Sequence, residues 1–190
     1  LNNLGSAYLF LGQYERAIDF FQQSLPIYQE IGNRNGAAKS LDNLGSAYLF
    51  LGQYERAIEF HQQSLPIFQE IGDRKGKANS LNNLGAAYYF IEQYLQATEV
   101  LFASIEIYES LRYEELPDTE KIAFYDTQIR PYILLQRSLI AQGKIEQALE
   151  ISERGRTRAF VELMAKRLHG DAEAEFRSPT PPTLADIQQI

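Results

Sequence analysis

Residues 1–40 and 41–80 are one stretch of forty residues written twice, with eight differences: Asn2/Asp42, Asp19/Glu59, Phe21/His61, Tyr28/Phe68, Asn33/Asp73, Asn35/Lys75, Ala37/Lys77 and Lys39/Asn79. A looser third copy starts at Leu81. Repetition at this period constrains the fold more than any other feature of the chain. Whatever unit the first copy forms the second forms too, so like units must stack side by side. A catalytic site needs to be built only once, which makes a repeated surface a poor sign of an enzyme.

Within a copy the apolar residues recur at helical spacing. Leu1, Leu4, Tyr8 and Leu11 form one stripe; Tyr14, Ala17, Ile18, Phe21, Leu25 and Tyr28 form the next. Leu11-Gly12-Gln13 between them predicts a short turn and a helical hairpin. A second set on the later helix, Phe20, Ser24, Ile27 and Ile31, gives that helix two faces to bury. One hairpin cannot bury both, whereas stacked hairpins share a continuous core. The expectation is an all-α solenoid. Pro26 and Pro66 fall inside the second helices, where each removes a backbone hydrogen bond; we read them as bending the helix rather than ending it.

The pattern Leu1-x-x-Leu4-Gly5-x-x-Tyr8, Gly12, Ala17-x-x-x-Phe21 resembles the tetratricopeptide repeat, with Leu in place of the usual Trp. Gly5 and Ala17 are small where helices would cross closely, while Tyr8 and Phe21 fill the gaps. The second copy matches at Leu41, Leu44, Gly45, Tyr48, Gly52 and Ala57 but carries His61 in the place of Phe21. The third keeps Leu81, Leu84, Gly85, Tyr88 and Ala97 before drifting to Leu101. A forty-residue period, about six longer than the common repeat, is similar to that of kinesin light chains and related adaptors. That resemblance implies a right-handed solenoid of helix hairpins whose concave groove holds extended peptides.

A fourth unit is hidden downstream: Tyr132, Leu135, Gly143, Ala148 and Leu149 align with Leu1, Leu4, Gly12, Ala17 and Ile18, at a spacing of 51 from Leu81. Pro117 breaks the helix before it and Asp118 caps a new one, which Pro131 is expected to kink. The last helix is expected from Lys144 to about His169. The block ALEISERGRTRAF, within residues 112–168, resembles the segment that joins repeat arrays to CHAT domains, the caspase-like peptidase modules of bacterial proteins. That resemblance implies a downstream peptidase using a His and a Cys. No Cys occurs in the chain, so neither partner can be placed on it. The expected divisions are 1–40, 41–80 and 81–116 for three repeats, 117–169 for a degenerate long hairpin, and 170–190 for a linker. The chain is expected to be a fragment of a longer protein.

Composition narrows the function. The 190 residues are 45 % hydrophobic, enough for a packed core, and no run nears the roughly 20 apolar residues of a membrane span. A formal charge of −7 disfavours a nucleic-acid surface, which needs clustered Lys and Arg. With no cysteine, disulfides and thiolate metal sites are excluded, and a cytoplasmic location fits best. His61 and His169 each lack a partner in the sequence for metal binding or catalysis, the adjacent Glu114 and Glu115 point apart, and Gly32-x-x-x-Gly36 belongs to an inter-helix loop. No cofactor or metal is expected, and no enzyme.

Helix periodicity gathers a candidate groove on the first helix of each hairpin: Asn2, Asn3 and Ser6; Lys39, Asp42, Asn43, Ser46, Leu49 and Phe50; Asn79, Asn82, Asn83, Ala86, Tyr89 and Phe90. Amides offer donors and acceptors, so a ladder of them could pin a peptide backbone whatever its sequence. The competing reading is that Asn3, Asn43 and Asn83 tie neighbouring repeats together; the sequence leaves both open, and favours the groove for Asn2, Asp42 and Asn82. Arg154, Arg156 and Arg158 form the densest basic cluster. Either they are a solvated face paired with Glu150 and Glu153, or with Gly155 they dock a downstream domain. The leading function is a scaffold for a protein or peptide partner, the recognition or regulatory arm of a CHAT-type protease. The alternative is a spacer or self-associating module that stacks through its exposed ends.

Overall fold

A computed structural model describes residues 1–114 and 129–155. The helices are α1 (Asn2–Phe10), α2 (Tyr14–Glu30), α3 (Arg34–Phe50), α4 (Tyr54–Glu70), α5 (Arg74–Phe90), α6 (Tyr94–Glu114) and α7 (Ile129–Ala141), followed by helical residues 145–155, here α8. Each helix packs on its chain neighbour, α1 on α2 through α5 on α6, and α6 on α7. Among the described residues this is the all-α solenoid that the repeat dictates.

One turn is used throughout. After α1, the Gln13 N–H donates to the Tyr8 carbonyl (2.9 Å) and the Gly12 N–H to the Leu9 carbonyl (3.1 Å), with Gly12 at φ 72°. This closes the helix by satisfying carbonyls that would otherwise be orphaned. The same pair of bonds recurs at Gly32–Asn33, Gly52–Gln53, Gly72–Asp73 and Gly143–Lys144. The third repeat makes the turn without glycine: Glu92 takes φ 61°. Between repeats the residue after the turn also starts the next helix, where the side chains of Asn33 and Asp73 accept from the Gly36 and Gly76 N–H groups at 2.8 and 2.7 Å. An Asn/Asp exchange preserves such a cap, so that difference between copies is silent.

Pro26 and Pro66 lie inside α2 and α4, which continue to Glu30 and Glu70, so neither proline ends its helix. Both are exposed, as are Gln22 and Gln62 one turn earlier, whose carbonyls lose the usual donor. Pro131 lies in α7 and is buried, two residues after the described residues resume; the stretch before Ile129, and with it the kink expected at Pro131, lies outside the described residues. Pro117, Asp118, Glu115 and His169, and the helix expected beyond Gly155, lie outside the described residues.

The core repeats with the sequence. Ala17, Ala57 and Ala97 are fully buried and Ala148 nearly so. A Cβ at Gly5 would come within 2.6 Å of the buried Phe21 ring, at Gly45 within 2.7 Å of His61, and at Gly85 within 2.5 Å of Leu101. These glycines let the two helices of a hairpin close on one large side chain. Within the second hairpin Arg34 at the start of α3 pairs with Glu70 at the end of α4, while the joints between hairpins carry aromatic pairs: Tyr14 stacks on Phe50 (5.4 Å) and Tyr54 on Phe90 (5.0 Å). A hydroxyl seam also crosses them, Ser24 to Ser40 at 3.0 Å and Ser64 to Ser80 at 2.7 Å.

Candidate functional site

The first helices of the hairpins lie side by side, α1 by α3 and α3 by α5, and their shared face carries the candidate groove. Position along that face decides what each side chain can do. Asn83 Nδ2 donates to Ser46 Oγ at 3.2 Å, joining α5 to α3, and Ser46 itself donates to the Asp42 carbonyl at 3.0 Å. Asn43 is half-buried with no hydrogen-bond partner among the described residues, while Asn3 and Lys39 are exposed. One column thus contains both roles that the sequence left open: a tie at Asn83, and free polar groups at Asn43 and Asn3.

The neighbouring column, which the sequence favoured for a ligand, turns toward the protein. Asn2 Oδ1 accepts from Ser40 Oγ at 3.3 Å, and Asp42 Oδ1 lies 2.9 Å from His61 Nδ1. Asn82 Oδ1 is buried without a partner among the described residues. Asn79 accepts from the Tyr108 hydroxyl at 2.5 Å. Burial, with the Asp42 charge second, holds the Tyr108 phenol well above the usual tyrosine range. Ser6 back-bonds to the Asn2 carbonyl. Leu49 and Ala86 are buried in the core. Phe50 and Phe90 are half exposed at the hairpin-turn edge, each stacked on a tyrosine of the preceding hairpin, and Tyr89 meets Phe90 and Tyr94 edge-on.

His61 corrects the expectation that it lacks a partner. It is fully buried, with Nδ1 also 3.3 Å from Ser80 Oγ. Asp, His and Ser in contact invite comparison with a hydrolytic triad, but the chemistry fails on geometry. In a triad the nucleophile sits on the nitrogen opposite the carboxylate. Here both partners share Nδ1, while Nε2 is packed against Gly45, with no partner among the described residues and no space for a substrate. The sequence held a signal for this pair: positions 42 and 61 are two of the eight differences between copies, and they changed together, Asn2 and Phe21 becoming Asp42 and His61.

At the other end, Arg154 is engaged within the chain. Its guanidinium forms a two-pronged pair with Glu109 of α6, which also accepts from the Tyr132 hydroxyl. A Cβ on Gly155 would sit at ordinary contact distance, 3.6 Å, from the Tyr132 ring. Arg156 and Arg158 lie outside the described residues. Among the described residues no cluster of His, Asp and Glu could hold a metal ion, and no helix is long and apolar enough to cross a membrane.

The tetratricopeptide repeat model matches residues 1–70 and 36–110, more than half of the chain. The chain belongs to the tetratricopeptide repeat family. Tetratricopeptide repeat protein 28 of Mus musculus and that of Homo sapiens are each 38 % identical to it over 74 residues, 38 % of this chain and 3 % of theirs. The chain therefore matches only a small part of those curated relatives. Among solved structures, BtubC (BKLC) from P. vanneervenii superposes with a TM-score of 0.71 at 21 % identity, over 94 % of this chain and 67 % of that one. A Podosopora anserina protein assigned as a kinesin light chain, with nearly identical TPR-like repeats, gives 0.62 at 21 % identity over 89 % and 75 %. At that identity the likeness establishes the fold. Tetratricopeptide repeats generally mediate binding of protein partners and are generally non-enzymatic scaffolds.

Proposed function

We propose that this tetratricopeptide array is a scaffold that holds an extended peptide or protein segment along the shared face of α1, α3 and α5. The observation that carries the reading is Asn43: a half-buried amide at the centre of the face, with both donor and acceptor capacity unspent. Lys39 and Asn3 flank it on the open side, and the second lone pair of Ser46 lies within the same face. A peptide backbone presents an N–H and a C=O per residue, which is what such an amide can satisfy in pairs. Phe50 and Phe90, exposed at the edge, supply apolar contacts for ligand side chains. In the whole protein the partner's arrival would regulate a downstream CHAT-type peptidase in the cytoplasm of a bacterium. The ERGRTRAF block is the support for that part of the reading.

Capture from a bacterial lysate, followed by titration calorimetry with the captured segment, tests the groove. Asn43→Ala should weaken binding by at least about tenfold, a loss of about 1.4 kcal/mol. Its helicity and melting should not change, because no intramolecular bond is removed. Equal affinity in parent and variant would move the binding surface elsewhere. Asn83→Ala is the control that should also lower the melting temperature, since it breaks the tie to Ser46.

A further inference from the structure

Where the first helix of each hairpin turns into the second, the edge of the stack carries aromatic rings that the core does not use up. Phe50 ends α3 and stacks on Tyr14 of the hairpin before it; Phe90 ends α5 and stacks on Tyr54 in the same way. Both rings sit at joints inside the array, with a described hairpin on each side, and still keep 50 % and 47 % of their surface open. The polar groups beside them are unspent. Gln53 is exposed and makes no side-chain cap, and neither its amide nor the Tyr54 hydroxyl has a hydrogen-bond partner among the described residues. The free charge on this edge is acidic. Arg16 lies over the Tyr8 ring (5.6 Å) and Arg56 over Tyr48 (5.2 Å), each drawn back onto its own hairpin. Their neighbours Glu15 and Glu55, in the first turns of α2 and α4, are exposed with no partner among the described residues, and Glu92 adds an exposed carboxylate at the third turn.

Spacing selects the backbone of a ligand for this edge. α3 and α5 lie side by side, and neighbouring helices pack at roughly 8–10 Å, so Phe50 and Phe90 recur at about that interval. A polyproline II helix presents every third residue on one face, about 9.3 Å apart at 3.1 Å per residue. A β-strand puts same-face residues at about 6.6 and 13 Å and misses one ring or the other. Proline rings are apolar and arrive already ordered, and the carbonyls of such a helix carry no internal bond, so they can take the Gln53 amide and the Tyr54 hydroxyl. We propose that this edge docks a proline-rich segment of a partner protein in the polyproline II conformation, with prolines three residues apart on Phe50 and Phe90 and arginines toward Glu15, Glu55 and Glu92. The proposal rests on the scaffold reading above and names a ligand class for its aromatic edge. Asn43 stands seven residues before Phe50, about 10 Å along the same face of α3, so the two rows can be tested apart. The chain itself carries Arg177-x-Pro179-x-x-Pro182, but residues 170–190 set Asp171, Glu173, Glu175 and Asp186 against that one arginine, a balance that an acidic edge repels.

The test is titration calorimetry of the whole chain with three synthetic peptides of about nine residues, three polyproline turns: repeats of Pro-Pro-Arg, of Pro-Pro-Glu and of Gly-Ser-Arg. The first should bind at least about tenfold more tightly than either of the others. Glu15→Gln with Glu55→Gln should erase most of the preference for arginine over glutamate, and because both carboxylates are exposed, circular dichroism should not change. Phe50→Leu with Phe90→Leu keeps apolar bulk at the joints, removes the flat rings, and should weaken the Pro-Pro-Arg peptide at least about tenfold. No binding of that peptide by the parent, or equal binding of Gly-Ser-Arg, overturns the proposal. Binding kept by Asn43→Ala and lost in the phenylalanine variant supports it. The reverse pattern overturns it by placing the ligand on the asparagine row, and leaves the scaffold reading standing. A peptide of residues 175–184 that binds as tightly as Pro-Pro-Arg would make the occupant this chain's own segment, and so overturn the assignment to a partner.

Discussion

Glu92 occupies a left-handed backbone position that the other hairpin turns give to glycine. For a residue with a Cβ that conformation is strained by roughly 1 kcal/mol or more, and here the two carbonyl-satisfying bonds of the turn hold it in place. Glu92→Gly should therefore raise stability by about 0.5–1 kcal/mol, the relieved strain outweighing the added freedom of the unfolded chain. Urea melts of parent and variant would show a higher midpoint at an unchanged slope; a lower midpoint would mean that the turn is not strained. The buried His61–Asp42 contact makes a second case at this scale. His61→Phe alone strands a half-buried carboxylate and should destabilise by about 1–3 kcal/mol. Asp42→Asn with His61→Phe rebuilds the Asn2/Phe21 arrangement of the first hairpin and should return to within about 0.5 kcal/mol of the parent. Additive losses in that cycle would show that the two residues do not act as a pair. His61 was legible in the sequence as buried, because Phe21 sets its place in the repeat. Its partner was not, because a residue 19 positions away on another helix is brought near only by how the hairpin closes.

Elements were read more securely than side chains. Each turn has its own chemistry, Gly before Gln at residues 12–13 and 52–53 and Gly before Asn or Asp at 32–33 and 72–73: the glycine turns close the helices, and Asn33 and Asp73 cap the next ones, while Gln13 and Gln53 make no side-chain cap. The effect of a proline depends on its position within the helix: α2 and α4 run on past Pro26 and Pro66 to Glu30 and Glu70. The groove was half legible. Periodicity groups the asparagines on one face of a helix, but the width of that face spans two columns, and whether a column meets a ligand or the neighbouring helix depends on how the helix is rotated in the stack. The last hairpin shows how elements are tied by few groups. Glu109 of α6 receives Arg154 of α8 and Tyr132 of α7 together, so one carboxylate fastens both helices of the fourth hairpin to the third. Glu109→Gln should cost about 1–3 kcal/mol by leaving a partly buried guanidinium without its charge partner. Hydrogen exchange should report the loss as faster opening of residues 145–155, with α3 and α4 unchanged. Uniform acceleration across the array would show that the fourth hairpin is not fastened locally.

For the whole molecule, the stack implies that stability is distributed along one dimension. A hairpin in a solenoid is held by its own packing and by its joints, and only neighbours contribute. The second hairpin has a neighbour on each side: α3 contacts α2 and α4, and Leu41, Leu44, Ala47, Tyr48 and Leu49 of α3 are all buried. In the first hairpin, by contrast, Leu1, Leu4, Phe10 and Leu11 are open to solvent. Opening of α1 and α2 therefore exposes less new apolar surface than opening of α3 and α4, and the free energy of exchange should rise from the first hairpin to the second. Native-state hydrogen exchange should find the slowest amides in α3 through α5 and faster exchange in α1 and α2. Gly45→Ala, which drives a Cβ into His61, sharpens the test. Weakening the middle hairpin by about 1–3 kcal/mol should make the array open in parts rather than as one unit, seen as a broader melt with a smaller denaturant slope. A single sharp transition in that variant, with equal protection from α1 to α6, would mean that coupling across the joints exceeds what their aromatic stacks, serine pairs and buried leucines account for.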